Sequence, residues 1–178
     1  IFAHFESAQL LPKLSATVGW ELFAELSEQF LAQYDRETRK KRGVYYTPAR
    51  VARFILLSVD DLLRRKLQLA GGLAERTGWY RGDLLPRANN GQAVIAPPLQ
   101  ILDPATGSGV FLLAAIDIIH SNCVATWSQD GSSPAEIAHR WKHYADEWML
   151  PMLRGYELLP AVAMMANDLI AAKLAFTG

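Results

Sequence analysis

Along most of this chain the apolar positions recur with helical spacing, and in only two short places do they run together as a buried strand would. Between Trp20 and Tyr34, the residues Trp20, Phe23, Leu26, Phe30, Leu31 and Tyr34 fall at three- and four-residue steps among Glu21, Glu25, Glu28 and Gln29, which predicts an amphipathic helix. The pattern stops in a basic run, Arg36, Arg39, Lys40, Lys41 and Arg42, closed by Gly43, and this reads as a hinge. Thr47 followed by Pro48 has the chemistry of a helix start, because a threonine oxygen accepts from free amides and proline tolerates the first helical position. Val51, Phe54, Ile55, Val59, Leu62 and Leu63 form the stripe expected to be buried, up to about Leu67. Residues 71–98 are rich in Gly, Pro and Asn without a sustained period, and are expected to be a long irregular connection with a short helix or two.

Beyond that connection the pattern changes. Leu99 to Leu102 is a short apolar run entering Asp103, and Gly109 to about Cys123 is helical in period, so the order is strand, tight turn, helix. Asp130-Gly131-Ser132 marks a turn, Ser133 and Pro134 open a helix through about Trp148, Leu153 to Leu158 reads as a second strand, and Pro160 to Phe176 as a further helix. Strand, helix, inserted helix, strand, helix is the beginning of a doubly wound α/β sheet. Trp127, Trp141 and Trp148 are expected to pack the inserted helix onto that sheet.

Composition narrows the classes of function. Half of the 178 residues are apolar, enough for a folded core. Lys plus Arg balance Asp plus Glu at 18 each, which argues against a chain that wraps nucleic acid by bulk charge; any DNA contact is local or lies elsewhere. Cys123 is the single cysteine, so neither a disulfide framework nor a thiolate cluster is possible, and a cytoplasmic location is the expectation. The greasiest stretch, Val110 to Ile119, is interrupted by Asp117 and falls short of the roughly 20 residues of a membrane span. The chain opens on Ile without a signal-peptide pattern, which suggests a piece excised from a longer protein. His139 and His143 share a helix face, but no further ligand is evident and no metal site is expected.

Three short segments carry candidate chemistry. In DPATGSG (103–109) a strand gives way to a helix through Gly107 and Gly109, whose missing side chains let a ligand approach the backbone at the carboxyl end of a strand. Asp103 there suits a cationic ammonium group and would repel a phosphate; neither the P-loop string nor GxGxxG is present, since Leu112 occupies the last glycine position. Glu157, at the end of the second strand, can accept from a ribose, and Leu158 can offer an apolar face to a base. In GVYYTP (43–48), Thr47 at a helix mouth can hold a carboxylate, with Tyr45 and Tyr46 lining the same place. Each taken alone also fits a plain cap, an ordinary turn or a solvated strand-end carboxylate.

In that order, GVYYTP, DPATGSG and GYELLP resemble the first three motifs of adenine-N6 DNA methyltransferases of bacterial restriction-modification systems, and AQYDRETRKKRGVYYTP with FILLSVDDLL is most similar to single-polypeptide Type I enzymes. The likeness spans roughly residues 20–175. It implies an α/β, partial Rossmann-like fold that binds S-adenosyl-L-methionine, with 1–42 a helical coupler and 43–178 the front of the methyltransferase domain. By the same likeness, Thr47 meets the methionine carboxylate and Asp103 with the backbone around Gly107 its amino group, and Tyr46, Pro104, Ala105, Thr106 and Gly109 are also cofactor-binding. Glu157 takes the ribose hydroxyls and Leu158 the adenine. The implied partners of the parent enzyme are double-stranded DNA and nuclease and helicase domains of the same polypeptide. The family's catalytic string, Asn or Asp before Pro-Pro and an aromatic residue, occurs nowhere here; Pro97-Pro98 has neither flank, so no residue is assigned to catalysis. Two other readings stay open: a protein or RNA methyltransferase on the same fold, and a helical interaction module with an incidental glycine turn. If the sheet is partial, one edge of its first strand is unpaired and self-association is expected.

Overall fold

The computed structural model of the chain describes residues 47–76 and 99–177. The amphipathic segment Trp20–Tyr34, the basic hinge, Tyr45, Tyr46 and Pro97-Pro98 lie outside the described residues. Within them the order is helix α1 (Ala49–Lys66), a 3-10 turn (Gly72–Ala74), strand β1 (Ile101–Asp103), helix α2 (Val110–Gln129), helix α3 (Pro134–Tyr144), a π turn (Ala145–Met149), a single α turn α4 (Leu150–Met152), strand β2 (Leu153–Gly155) and helix α5 (Pro160–Thr177). The two strands pair in parallel as a two-stranded sheet, so the described fold is helix-rich α/β.

Local chemistry explains the boundaries. Pro48 opens α1, its carbonyl accepting from Val51 and Ala52. Helix α2 runs six residues past the expected end at Cys123, because nothing in the sequence stops it before Asp130-Gly131. There Gly131 takes a positive φ of 83°, Gly131 N donates to Ser128 O and Ser132 N to Trp127 O, which is a Schellman closure. Ser133 and Glu136 form a reciprocal capping box around Pro134 and start α3. Strand β1 begins two residues later than the apolar run, and β2 ends at Gly155 instead of Leu158, so Tyr156, Glu157 and Leu158 form a loop. A strand needs ladder partners as well as apolar side chains, and the regular pairing is confined to Ile101–Asp103 and Leu153–Gly155.

The described residues fall into two compact units. The first comprises 47–55, 103–114 and 155–177. Its core joins Ala49, Ala52, Val110, Leu113 and Leu169, with Phe111, Met165 and Ile170 packed against them. Gly109 belongs to this unit with φ 87°; a Cβ there would lie 3.4 Å from the Cβ of Ala166, so α5 passes close to the turn.

The second unit comprises 56–76, 99–102 and 115–154 among the described residues. Trp141 and Tyr144 stack with ring centroids 6.0 Å apart, Trp127 meets Tyr144 edge-on at 6.1 Å and His120 meets Trp141 at 4.6 Å. Trp127 and Trp141 thus join α3 to α2, where the expectation was packing onto the sheet, and Tyr144 donates to Ala74 O of the 3-10 turn at 3.1 Å. The Arg140 guanidinium covers Trp127 at 4.8 Å and Arg76 covers Trp148 at 5.0 Å. Buried Asp60 is a hub: Oδ1 accepts from Leu73 N at 2.7 Å and Asn122 Nδ2 at 2.8 Å, and Oδ2 from Arg64 Nε at 2.9 Å. Gly72, at φ 59°, lets the chain turn against that carboxylate, a place where any Cβ would collide with Asp60.

The expected buried stripe of α1 holds at Leu63 and is overturned at its other five positions. Ala49, Ala52, Leu56, Asp60 and Leu63 are buried, whereas Val51, Phe54, Ile55, Val59 and Leu62 are exposed, Phe54 at 70%. Ala49 and Ala52 share their cluster with Val110, Leu113 and Leu169, and close helix approach favours small side chains at the contact. Helix α2 is apolar over Val110–Ile119 apart from Asp117 and buries most of that stretch, as a core helix does. At 20 residues it is long and apolar enough to cross a membrane by length and composition, contrary to the shorter stretch read from sequence, but more than half of its most apolar window is buried inside the protein.

Candidate functional site

The candidate residues inside the described chain all belong to the first unit. They gather where the two strands end. Tyr156 N donates to Asp103 O at 3.0 Å and Thr106 N to Tyr156 O at 2.9 Å, so the parallel pairing of β1 and β2 continues into the loops that follow them. One step further, Gly107 N donates to Glu157 Oε2 at 3.0 Å, joining residues fifty apart in sequence. The other carboxylate oxygen, Oε1, accepts from Leu159 N at 2.8 Å, at the mouth of α5, where the helix dipole favours an anion.

The glycine turn is shaped by its backbone. Gly107 and Gly109 have φ of 55° and 87°, values that L side chains rarely adopt, so the DPATGSG turn requires glycine at both places. Thr106 is buried and holds the turn from within, its hydroxyl donating to Asp103 O at 3.1 Å. Pro104 and Ala105 are exposed at its tip. Asp103 Oδ1 accepts from Ala105 N at 3.1 Å, while Oδ2 is buried with no hydrogen-bond partner. A buried carboxylate oxygen without a donor is costly, and it marks the place where a donor group would be bound most favourably.

Leu158 is 87% exposed, an apolar side chain held in water directly beside the Glu157 carboxylate. Thr47 is half-buried, two residues ahead of Ala49. Through Ala49 and Ala52 the start of α1 shares a core with Val110 and Leu113, the first turn after the glycine bend. Tyr46 lies outside the described residues. The structure therefore joins Asp103, the glycine turn and Glu157 by hydrogen bonds, and brings the Thr47 end of α1 to the same core by packing.

Three residues were not singled out from sequence. A Cβ on Gly155 would lie 2.5 Å from Thr106 Oγ1, so glycine at the end of β2 is what lets the two loops close on one another. Tyr156 contributes its backbone, not its ring, which is 65% exposed. Ser108 Oγ is buried without a partner between the two glycines. The glycine of GYELLP was a readable signal for the first; the others depend on atoms that residue types do not reveal.

Comparison with protein-family models, with characterised proteins and with solved structures finds no match. Among the described residues no cluster of His, Cys, Asp and Glu is arranged to hold a metal ion.

Proposed function

We propose that this chain is the S-adenosylmethionine-binding front portion of a DNA adenine-N6 methyltransferase from a restriction-modification system, with a partial Rossmann-like sheet. The observation that carries the reading is the Gly107–Glu157 hydrogen bond, which sets a glycine turn and an acidic loop side by side beyond the carboxyl ends of two parallel strands. The donor set fits the cofactor's parts. Asp103 Oδ2 supplies an acceptor for the methionine ammonium, and Glu157 retains lone pairs on both oxygens for two ribose hydroxyls after its two amide bonds. Exposed Leu158 supplies an apolar surface for the adenine. Thr47, with Tyr46, receives the methionine carboxylate at the amino end of α1.

When bound, S-adenosylmethionine supplies an electrophilic methyl group on a sulfonium. The chain's own residues bind and orient: Asp103 and the backbone of Pro104, Ala105, Thr106, Gly107 and Gly109 hold the amino-acid end, and Glu157 with Leu158 holds the nucleoside. No residue here is assigned to the adenine amino group. In the parent enzyme that task, DNA contact and nuclease and helicase activities fall to other segments of a cytoplasmic protein.

Calorimetric titration of the chain with S-adenosylmethionine and S-adenosylhomocysteine tests the reading. Binding is expected, weakened about tenfold or more by Asp103→Ala and by Glu157→Ala, since a hydrogen bond to a charged group contributes about 1.5–3 kcal/mol. Absence of binding by the unsubstituted chain, or affinity unchanged in both variants, overturns it.

A further inference from the structure

The glycine turn after β1 is costly to order. Gly107 and Gly109 both sit at positive φ, and glycine loses more conformational freedom on folding than any other residue. Part of the turn is tied through the backbone and from within, by Thr106 N on Tyr156 O, Gly109 N on Thr106 O and the Thr106 hydroxyl on Asp103 O. Gly107 is held differently. Its amide donates to a side chain of the other loop, Glu157 Oε2 at 3.0 Å, and the same carboxylate accepts from Leu159 N through Oε1 at 2.8 Å.

We propose that Glu157 is a positioning residue for the glycine turn as well as a ligand contact. Its carboxylate fixes Gly107 before any ligand arrives, and so couples the two ends of the site. Naming those ends as amino acid and nucleoside rests on the cofactor reading above; the bridge itself does not. The residue type is specific to this task. Two amide donors need two acceptors, and a carboxylate offers both oxygens, whereas glutamine offers one oxygen and an NH2 group that meets an amide donor against donor. In Glu157→Gln the single oxygen is expected on Leu159 N, which closes the shorter loop, and Gly107 is released. Glutamine still bonds ribose hydroxyls, so the substitution separates the two roles. A turn that the ligand itself must order binds more weakly than one already ordered.

Two measurements on the full chain test this. In the ligand-free chain the Gly107 amide should be protected from hydrogen exchange and lose about tenfold or more of that protection in Glu157→Gln, while Thr106, whose acceptor is backbone, keeps its own. Calorimetry then compares S-adenosylhomocysteine with methylthioadenosine, which has the nucleoside without the amino-acid end. Glu157→Gln should weaken the first about threefold or more beyond the second. A general loss of stability would weaken both alike. Unchanged Gly107 exchange, or equal weakening of the two ligands, overturns the proposal. Binding of neither ligand by the unsubstituted chain sinks the cofactor reading instead, and Gly107 exchange still decides the positioning role.

Discussion

Replacing Gly155 by alanine tests whether the two loops close on each other as described. The new methyl carbon would lie 2.5 Å from Thr106 Oγ1, 3.0 Å from Leu112 Cδ1 and 3.3 Å from Thr106 Cγ2. Thr106 is buried and held at both ends, by its hydroxyl on Asp103 O and its amide on Tyr156 O, so it cannot simply turn aside. Overpacking of this kind costs about 1–3 kcal/mol. Losing the threonine hydroxyl bond adds about 1 kcal/mol. The alanine's smaller unfolded-state entropy returns about 0.4–1 kcal/mol. The expected net loss is about 2 kcal/mol, read as a lowered urea midpoint. The same substitution in a Thr106→Ala background meets neither Oγ1 nor Cγ2, and there its cost should fall below about 1 kcal/mol. Equal costs in the two backgrounds would show that the loops are not in contact and refute the reasoning.

Asp60→Ala leaves Leu73 N and Asn122 without their acceptor and is expected to cost about 2–4 kcal/mol in urea unfolding, more than an Arg64→Ala change, because Arg64 is partly exposed. Burial pushes the Cys123 thiol up from 9.0 to about 12 and raises the Tyr144 phenol in the same sense. A raised folded-state pKa means that stability is intact below the unfolded value and is lost as pH rises, so the denaturation midpoint should fall between about pH 9 and 12. Cys123→Ala should flatten part of that loss. The two-stranded sheet leaves one edge of each strand unpaired among the described residues, and sedimentation velocity should reveal concentration-dependent self-association. A single monomeric species at every concentration would count against it.

Much of the architecture can be read from residue order, and the places where it cannot share a physical cause. Pro48, Ser133-Pro134, Gly131 and Pro160 punctuate the chain as their chemistry requires, so helices α1, α2, α3 and α5 are all anticipated. The errors come where a side chain's role depends on its neighbours. On α1, Val51, Phe54 and Ile55 outweigh Ala49 and Ala52 in any count of apolar bulk, yet the alanines make the contact because two other helices press close. Asp60 lies buried, satisfied by Arg64 one turn along the same helix and by Leu73 N and Asn122 from segments that no periodicity links to it. At the site, DPATGSG and Glu157 were visible as residue types, and their juxtaposition followed from strand order. Thr106 was grouped with the ligand-facing residues, whereas its polar atoms are engaged within the loops.

The most direct measurement is a crystal structure grown with S-adenosylhomocysteine. The account predicts the ligand's amino nitrogen within hydrogen-bond distance of Asp103 Oδ2, its ribose hydroxyls on Glu157 and its adenine over Leu158. A ligand seated elsewhere, with Asp103 Oδ2 still lacking a donor and Glu157 bonded only to Gly107 and Leu159, would contradict it.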